Sequence, residues 1–432
     1  MNDPLPDGLS SEIRDYTILS KIGNGRYGTA YKVFSKKYHC EFCMKVITQA
    51  EYSSEELTQF LFKKEAETLR RVGHKNVIRL YDYFHEGDYY FIVTEYCSNG
   101  TLQSYLDERA NANHNQIINS TNDKQNHDSK ISPSNANISP ISDSINIHSL
   151  NNENQSSQIN LPSINGNLGT ENDTKRNKRH EIQSNTHIIF GPGERGNQKE
   201  THYLGMDGDM LYSVFKQIYE AIAFIHSLNI VHRDIKPCNI AFDSLMRPKI
   251  LDWGYSTVIQ EGEKLKSFCG TFPFVAPECL SKAPYDGKKY DMWSLGVTLY
   301  MMAFGKMPWK GKLFSEQVES LMNANYDFPE NHPNAKPDLM NLIKNLLKVN
   351  PNERLSAIEA LEHPYFKKCS ALVSSPISSS GSHLSQAKIC IPNVTVSQIL
   401  KKSKKVSRSV QGSTSLYTWR KKYNKSAPFF AV

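Results

Sequence analysis

The sequence predicts an α+β fold, a strand-rich part followed by a mainly helical one, and three observations carry that expectation. Residues Tyr16 to about Leu106 are dense in β-branched and aromatic side chains with a single helical stretch, which reads as a strand-rich unit. From Met206 the apolar period changes. Met210, Leu211, Val214, Phe215, Ile218, Tyr219, Ile222 and Ile225 recur at spacings of three and four, an amphipathic helix, and compact sequence then runs to about Phe366. Between these halves the composition breaks. Residues 110–200 hold 19 Asn and 12 Ser, with Phe190 the only aromatic, too little apolar surface to offset the entropy of ordering. We therefore expect a disordered insertion over about 109–205, interrupting one or two tightly connected lobes.

The remaining elements follow in order. Residues 1–15 are expected to be a flexible lead-in. Ile22-Gly23-Asn24-Gly25-Arg26-Tyr27-Gly28 is a glycine loop followed by a strand, Thr29 to Phe34, where a dinucleotide-binding loop would open a helix. A strand–loop–strand hairpin of this kind can bring backbone N–H groups close to phosphates, because glycine has no Cβ to block the approach. The next strand, Phe42 to Ile47, carries Lys45 inside an apolar run. A helix over about Glu55 to Val72 places Leu57, Leu61, Glu65, Leu69 and Val72 along one stripe, so Glu65 is a carboxylate on an apolar face that needs a cation. Lys45 is the candidate partner; a Glu65 reaching solvent at the stripe's edge is the bland reading.

Composition narrows the class further. No apolar run approaches the roughly 20 residues of a membrane-spanning helix, and the N-terminus lacks the basic start and apolar core of a signal peptide, so a secreted or membrane-spanning protein is not expected. The eight cysteines do not form a disulfide framework. Cys40-x-x-Cys43 has no second pair at ligand spacing, which favours reduced strand cysteines over zinc.

Further along come Val231-His232-Arg233-Asp234-Ile235-Lys236-Pro237-Cys238-Asn239, then Asp252-Trp253-Gly254, Ala276-Pro277-Glu278 and Asp291-Met292-Trp293-Ser294-Leu295-Gly296. In this order and at these spacings the chain resembles the eukaryotic protein kinase family, serine/threonine type, over about 16–366 outside the insertion. Phe268-Cys269-Gly270-Thr271 and the closing Glu362-His363-Pro364-Tyr365-Phe366 look most like its calcium/calmodulin-dependent group. The resemblance implies a bilobal protein kinase fold, with a β-rich N-lobe over 16–96 and a mainly helical C-lobe over 97–366.

It also implies a role for each matching residue. Gly23, Gly25 and Gly28, with Ile22 and Asn24, would cover the ATP phosphates, and Ala30 would lie above adenine. Lys45, paired with Glu65, would hold the α- and β-phosphates. Thr94 would stand at the back of the adenine pocket, with backbone groups of Glu95 and Cys97 bonding the base. Asp234 is the implied catalytic base, Lys236 the cation on the moving phosphate, and Asn239 and Asp252 the ligands of Mg²⁺. Glu278 would pair with Arg354, and Asp291 would anchor the catalytic loop from a helix buried nearly all round. Lys236 and Thr271 together imply serine/threonine specificity.

Three departures bear on the details. Trp253 replaces the usual Phe of the metal-binding triplet, as in casein kinase two. Ala30 replaces a common Val. Thr101, Cys238 and Met301 stand where arginine-directed relatives carry Glu, so strict selection of upstream arginine is not expected.

Arg233 before Asp234 implies an activation loop ordered by phosphate, with Ser267 the first candidate acceptor for an upstream kinase and Ser256 and Thr257 weaker ones. Ser132-Pro133 and Ser139-Pro140 are further candidates in the insertion. The formal net charge of +7 lies in the tail: residues 370–432 hold ten Lys and Arg and no acid, so the rest of the chain sums to −3. With interleaved apolar residues, that tail fits calmodulin, an acidic membrane, the kinase's own cleft or plain solvent. Lys401 to Lys405 also fits a nuclear-import patch; the location expected is cytoplasmic, with the nucleus second. No sequence-specific nucleic acid is expected. The alternative function is a catalytically weak scaffold, against which stands the joint retention of Lys45, Glu65, Asp234, Asn239 and Asp252.

Overall fold

The computed structural model describes residues 5–6, 8–25, 28–48, 54–113, 205–281 and 283–370, with side chains through Lys367. Most of the expected insertion, its Ser-Pro sites and the basic tail lie outside these residues.

The first lobe is a six-stranded antiparallel sheet of β1 (Glu12–Ile13), β2 (Tyr16–Gly25), β3 (Gly28–Ser35), β4 (Cys40–Thr48), β5 (Leu80–Glu86) and β6 (Tyr89–Glu95), in the order β1-β2-β3-β4-β6-β5. Strand side chains alternate between faces. One face gathers Tyr31, Val33, Phe42, Met44, Phe84, Phe91 and Val93 into a small core. Leu9, Ile13 and Tyr16 close over that core. The expectation of a flexible lead-in through residue 15 is thus corrected. Leu9 and Ile13 bury enough apolar surface to hold the segment, and β1 adds its backbone to the sheet edge.

Helix α1 (Glu55–Arg71) starts where the Ser54 hydroxyl accepts from the Leu57 N–H, a cap worth about 1 kcal/mol. Its buried face is Thr58, Phe62, Glu65, Ala66 and Leu69. The expected stripe is corrected by about one residue at its start: Leu57 is exposed and Phe62 takes the inward position, its ring packing on Tyr83 and Tyr90. The larger aromatic surface decides the rotation. Glu65 faces inward in either register.

The second lobe contains α2 (residues 102–113), α3 (Gly208–Ser227), α4 (Pro277–Leu280), α5 (Gly287–Phe304), α6 (Phe314–Met322), α7 (Pro337–Leu346), α8 (Ala357–Leu361) and α9 (Pro364–Ser370). Because α2 runs to 113, the expected start of the insertion at 109 is too early. Helix α3 buries the periodic residues from Leu211 to Ile225, and α5 buries almost every side chain from Tyr290 to Phe304. Two short antiparallel strand pairs, β7 (Ile230–Val231) with β10 (Thr257–Val258) and the hairpin β8 (Ile240–Phe242) with β9 (Pro248–Ile250), lie between them.

Main-chain bonds join the lobes. Ile78 donates to Ile250 O and Ile250 to Asn76 O; within the second lobe, Asn99 donates to Phe242 O and Phe242 to Gly100 O. Strand β9, which leads into Asp252, is therefore fastened to the first lobe. Among the described residues no helix is long and apolar enough to cross a membrane.

Candidate active site

The glycine loop is the β2–β3 turn, with Gly25 facing Gly28; Arg26 and Tyr27 lie outside the described residues. Gly28 has φ +132°, and a Cβ there would lie 2.3 Å from the Val46 carbonyl oxygen. The turn thus folds tightly onto β4 and admits no side chain at that point. Asn24 accepts from the Thr29 hydroxyl at 3.3 Å, and Ile22 is exposed.

Ala30 pairs with Lys45 across β3 and β4. Lys45 Nζ donates to both Glu65 oxygens at 3.0 and 2.9 Å and to Asp252 Oδ1 at 3.3 Å. Three elements, β4, α1 and the segment after β9, thereby meet at one ammonium. Burial alone would lower Lys45, but Glu65 and Asp252 outweigh it and raise it. Burial pushes Glu65 up against the pull of Lys45. Asp252 resists burial because Lys45, His232 and Lys236 hold it below the usual carboxylate range.

Asp234 is the centre of a second network. Thr271 donates its hydroxyl to Oδ1 at 2.8 Å, Lys236 Nζ lies 2.9 Å from Oδ2, and Lys236 also donates to Thr271 at 2.6 Å. The Asn239 amide nitrogen donates to Asp234 O and Oδ2, both at 2.8 Å. The loop itself hangs from Asp291, fully buried on α5. Its carboxylate accepts from the N–H groups of His232 and Arg233 at 2.8 and 2.7 Å and meets His226 Nε2 at 2.9 Å.

Thr94 is half-buried on β6, opposite Cys43 on β4, whose thiol burial raises to about 11. The Glu95 carboxylate is held by Lys249 Nζ and the Arg79 N–H, each at 2.9 Å. The Cys97 thiol is pushed up to about 12 by burial, with Glu95 adding. Glu278 and Arg354 form a two-pronged pair at 2.7 and 2.9 Å. Trp253 is fully buried, donates Nε1 to Ile250 O at 3.2 Å and meets the His232 ring at 5.0 Å edge-on.

Ser267 is exposed, and its Oγ accepts from Arg233 Nη1 at 2.9 Å. Ser256 is fully buried with its hydroxyl on Trp253 O at 2.6 Å, which excludes it as an accessible acceptor in this state. Thr101 is half-buried, Cys238 exposed and Met301 buried, so none of the three supplies a carboxylate. Cys40 and Cys43 sit three apart on β4, on opposite faces, which explains why they make no metal pair. Two contacts had no signal in the motifs. One is Lys249 on Glu95. The other is the pair Tyr285 and Tyr290, whose hydroxyls donate to Ser267 O and Cys269 O.

A family described as the protein kinase domain matches residues 16–123 and 180–366. This chain belongs to the protein kinase family. The match passes over residues 124–179, the centre of the Asn- and Ser-rich stretch. The kinase domain is 38% identical over 164 residues to sperm motility kinase 3A of Mus musculus, 38% of this chain and 32% of that protein. It is 37% identical over 163 residues to the phosphorylase b kinase gamma catalytic chain, liver/testis isoform, of Bos taurus, 36% of this chain and 40% of that protein. The kinase thus spans about a third of the length of the curated relatives it matches first.

Proposed function

We propose that this kinase domain transfers the γ-phosphate of ATP to serine and threonine hydroxyls of proteins. The observation that carries the reading is the Asp234–Lys236–Thr271 network, a carboxylate, a cation and a hydroxyl within 2.9 Å of one another. Asp234 accepts or orients the proton of the incoming hydroxyl. Lys236, beside it, neutralises charge on the phosphate in flight. Lys45, fixed by Glu65, meets the α- and β-phosphates beneath the glycine turn, and the backbone of Glu95 and Cys97 bonds adenine.

Asn239 and Asp252 are hard oxygen donors of the kind Mg²⁺ takes, and a site with few protein ligands suits an ion that keeps phosphate and water around it. When bound, Mg²⁺ would neutralise the phosphate oxygens. The Asn239 amide nitrogen is engaged by Asp234, so its oxygen is the end that would face the ion.

Arg233 on the Ser267 hydroxyl supports Ser267 as the site of an activating phosphate added by an upstream kinase. The absence of carboxylates at Thr101, Cys238 and Met301 supports substrates without strict upstream arginine. The test is a degenerate peptide library with Mg·ATP, in separate Ser/Thr and Tyr arms. Label confined to the Ser/Thr arm, without strong upstream arginine enrichment, is expected; labelled tyrosine would overturn the specificity.

A further inference from the structure

Phosphoryl transfer leaves one cluster of reactive groups unused. Cys269 and Cys279 are both buried, 6% and 3% exposed, on the segment that carries Thr271. The Cys269 sulfur lies 3.8 Å from the Tyr285 hydroxyl oxygen. Cys279 lies near enough for Cys269 and the Tyr285 hydroxyl both to act on its thiol. Two thiols thus meet at one oxygen. A disulfide requires Cα atoms within about 7 Å, so the bond forms by a small shift of the loop that carries Cys269 towards Cys279.

The same cluster seats the loop. Tyr285 donates to Ser267 O at 2.9 Å and Tyr290 to Cys269 O at 3.0 Å. Gly270, between Cys269 and Thr271, has φ +106°, and a Cβ there would lie 2.0 Å from the Tyr290 hydroxyl. With the chain pinned so tightly, a displacement of Cys269 is transmitted to Thr271, two residues on, and from there to Asp234.

We propose that Cys269 and Cys279 are a reversible redox site, joined by peroxide into a disulfide that draws Thr271 away from Asp234 and switches phosphoryl transfer off. One sulfur attacks the peroxide O–O bond, giving a sulfenic acid and water. The second thiol displaces its oxygen as a second water and forms the S–S bond, so two thiols are oxidised as one peroxide is reduced.

Access sets when this happens. Burial raises Cys269, with Arg233 opposing, and lifts Cys279 to about 11. Both therefore stay protonated and shielded while the loop is seated on Arg233 and Tyr285. Oxidation belongs to the state in which the loop lifts, and a seated loop protects the pair.

The effect on activity rests on the kinase reading above; the bond itself does not. Cleavage after Lys266 and Lys282 releases one tryptic peptide, Ser267 to Lys282, containing both thiols. The full chain is treated with hydrogen peroxide, alkylated, digested and weighed. We expect that peptide unalkylated and two hydrogens lighter, with activity down at least about tenfold, as small misplacements of catalytic groups produce. Dithiothreitol should reverse both. Cys279→Ser, or Cys279→Ala if the serine variant is unstable, should keep its basal activity and resist the same dose.

A doubly alkylated peptide after an inactivating dose overturns the proposal, as does a disulfide with undiminished activity. Resistance in Cys238→Ser together with sensitivity in Cys279→Ser would assign the effect to the exposed thiol instead. A reduced chain that never transfers phosphate while the disulfide still forms would count against the kinase reading, not the thiol pair.

Discussion

Thr271 donates its hydroxyl to Asp234 Oδ1 at 2.8 Å, from a segment 37 residues further along the chain. The contact fixes the aspartate's orientation from outside its own loop. Thr271→Ala should lower kcat by about 10–100-fold with little change in KM for ATP, since in the proposed mechanism the lost group orients the base and does not touch nucleotide. Thr271→Ser should recover most of the rate. Steady-state kinetics on a peptide substrate reads both.

Lys45 sits between Glu65 and Asp252, and the two carboxylates ask different things of it. If Lys45 holds the phosphates as proposed, Lys45→Met removes that contact and leaves buried Glu65 and half-buried Asp252 together, and kcat/KM for ATP should fall at least about 100-fold. Glu65→Gln keeps a hydrogen bond and loses the charge that centres the ammonium. Its effect should be smaller and should fall mainly on KM for ATP. Equal losses in the two variants would mean that Glu65 does more than position Lys45.

Arg354 is fully buried, and beyond Glu278 it donates to Lys348 O and Lys289 O. Arg354→Met strands the Glu278 carboxylate and those carbonyls, which should cost about 3–5 kcal/mol in chemical denaturation. Adding Glu278→Gln should restore part of that loss. An additive double variant would show that the pair is not the source of the destabilisation.

Trp253 fills its socket completely and is held by Ile250 O as well as by His232. Inhibitors that need this ring to leave should bind weakly, and Trp253→Phe, which loses the Nε1 bond, should bind them more tightly. Nanomolar binding of such a compound to the unaltered protein, measured by titration calorimetry, contradicts this.

Much of the site was legible because its residues come as short strings whose chemistry fixes residue type. A lysine within an apolar strand and a glutamate on an apolar helix face already imply one another, and they meet in the fold. The inward register of α1 was less legible, since Leu61 and Phe62 compete for one groove and only the neighbouring Tyr83 and Tyr90 decide it. The order at Leu9 and Ile13 depends on a core completed by Phe84, Phe91 and Val93, far along the chain. Lys249 on Glu95, and Tyr285 on Ser267, leave no local pattern, because each contact joins segments that only the folded lobes bring together.

In the proposed mechanism Asp234 is the group on which phosphoryl transfer turns. The direct measurement is label transfer from Mg·ATP to a Ser/Thr peptide by the purified chain beside its Asp234→Asn variant, which keeps the shape and removes the carboxylate. Transfer by the unaltered chain and loss of at least about 1,000-fold in the variant is the predicted result, the order expected when an acid–base group is removed from a preorganised site. Equal signal in both, or none in either, would contradict it and leave a scaffold built on a kinase fold.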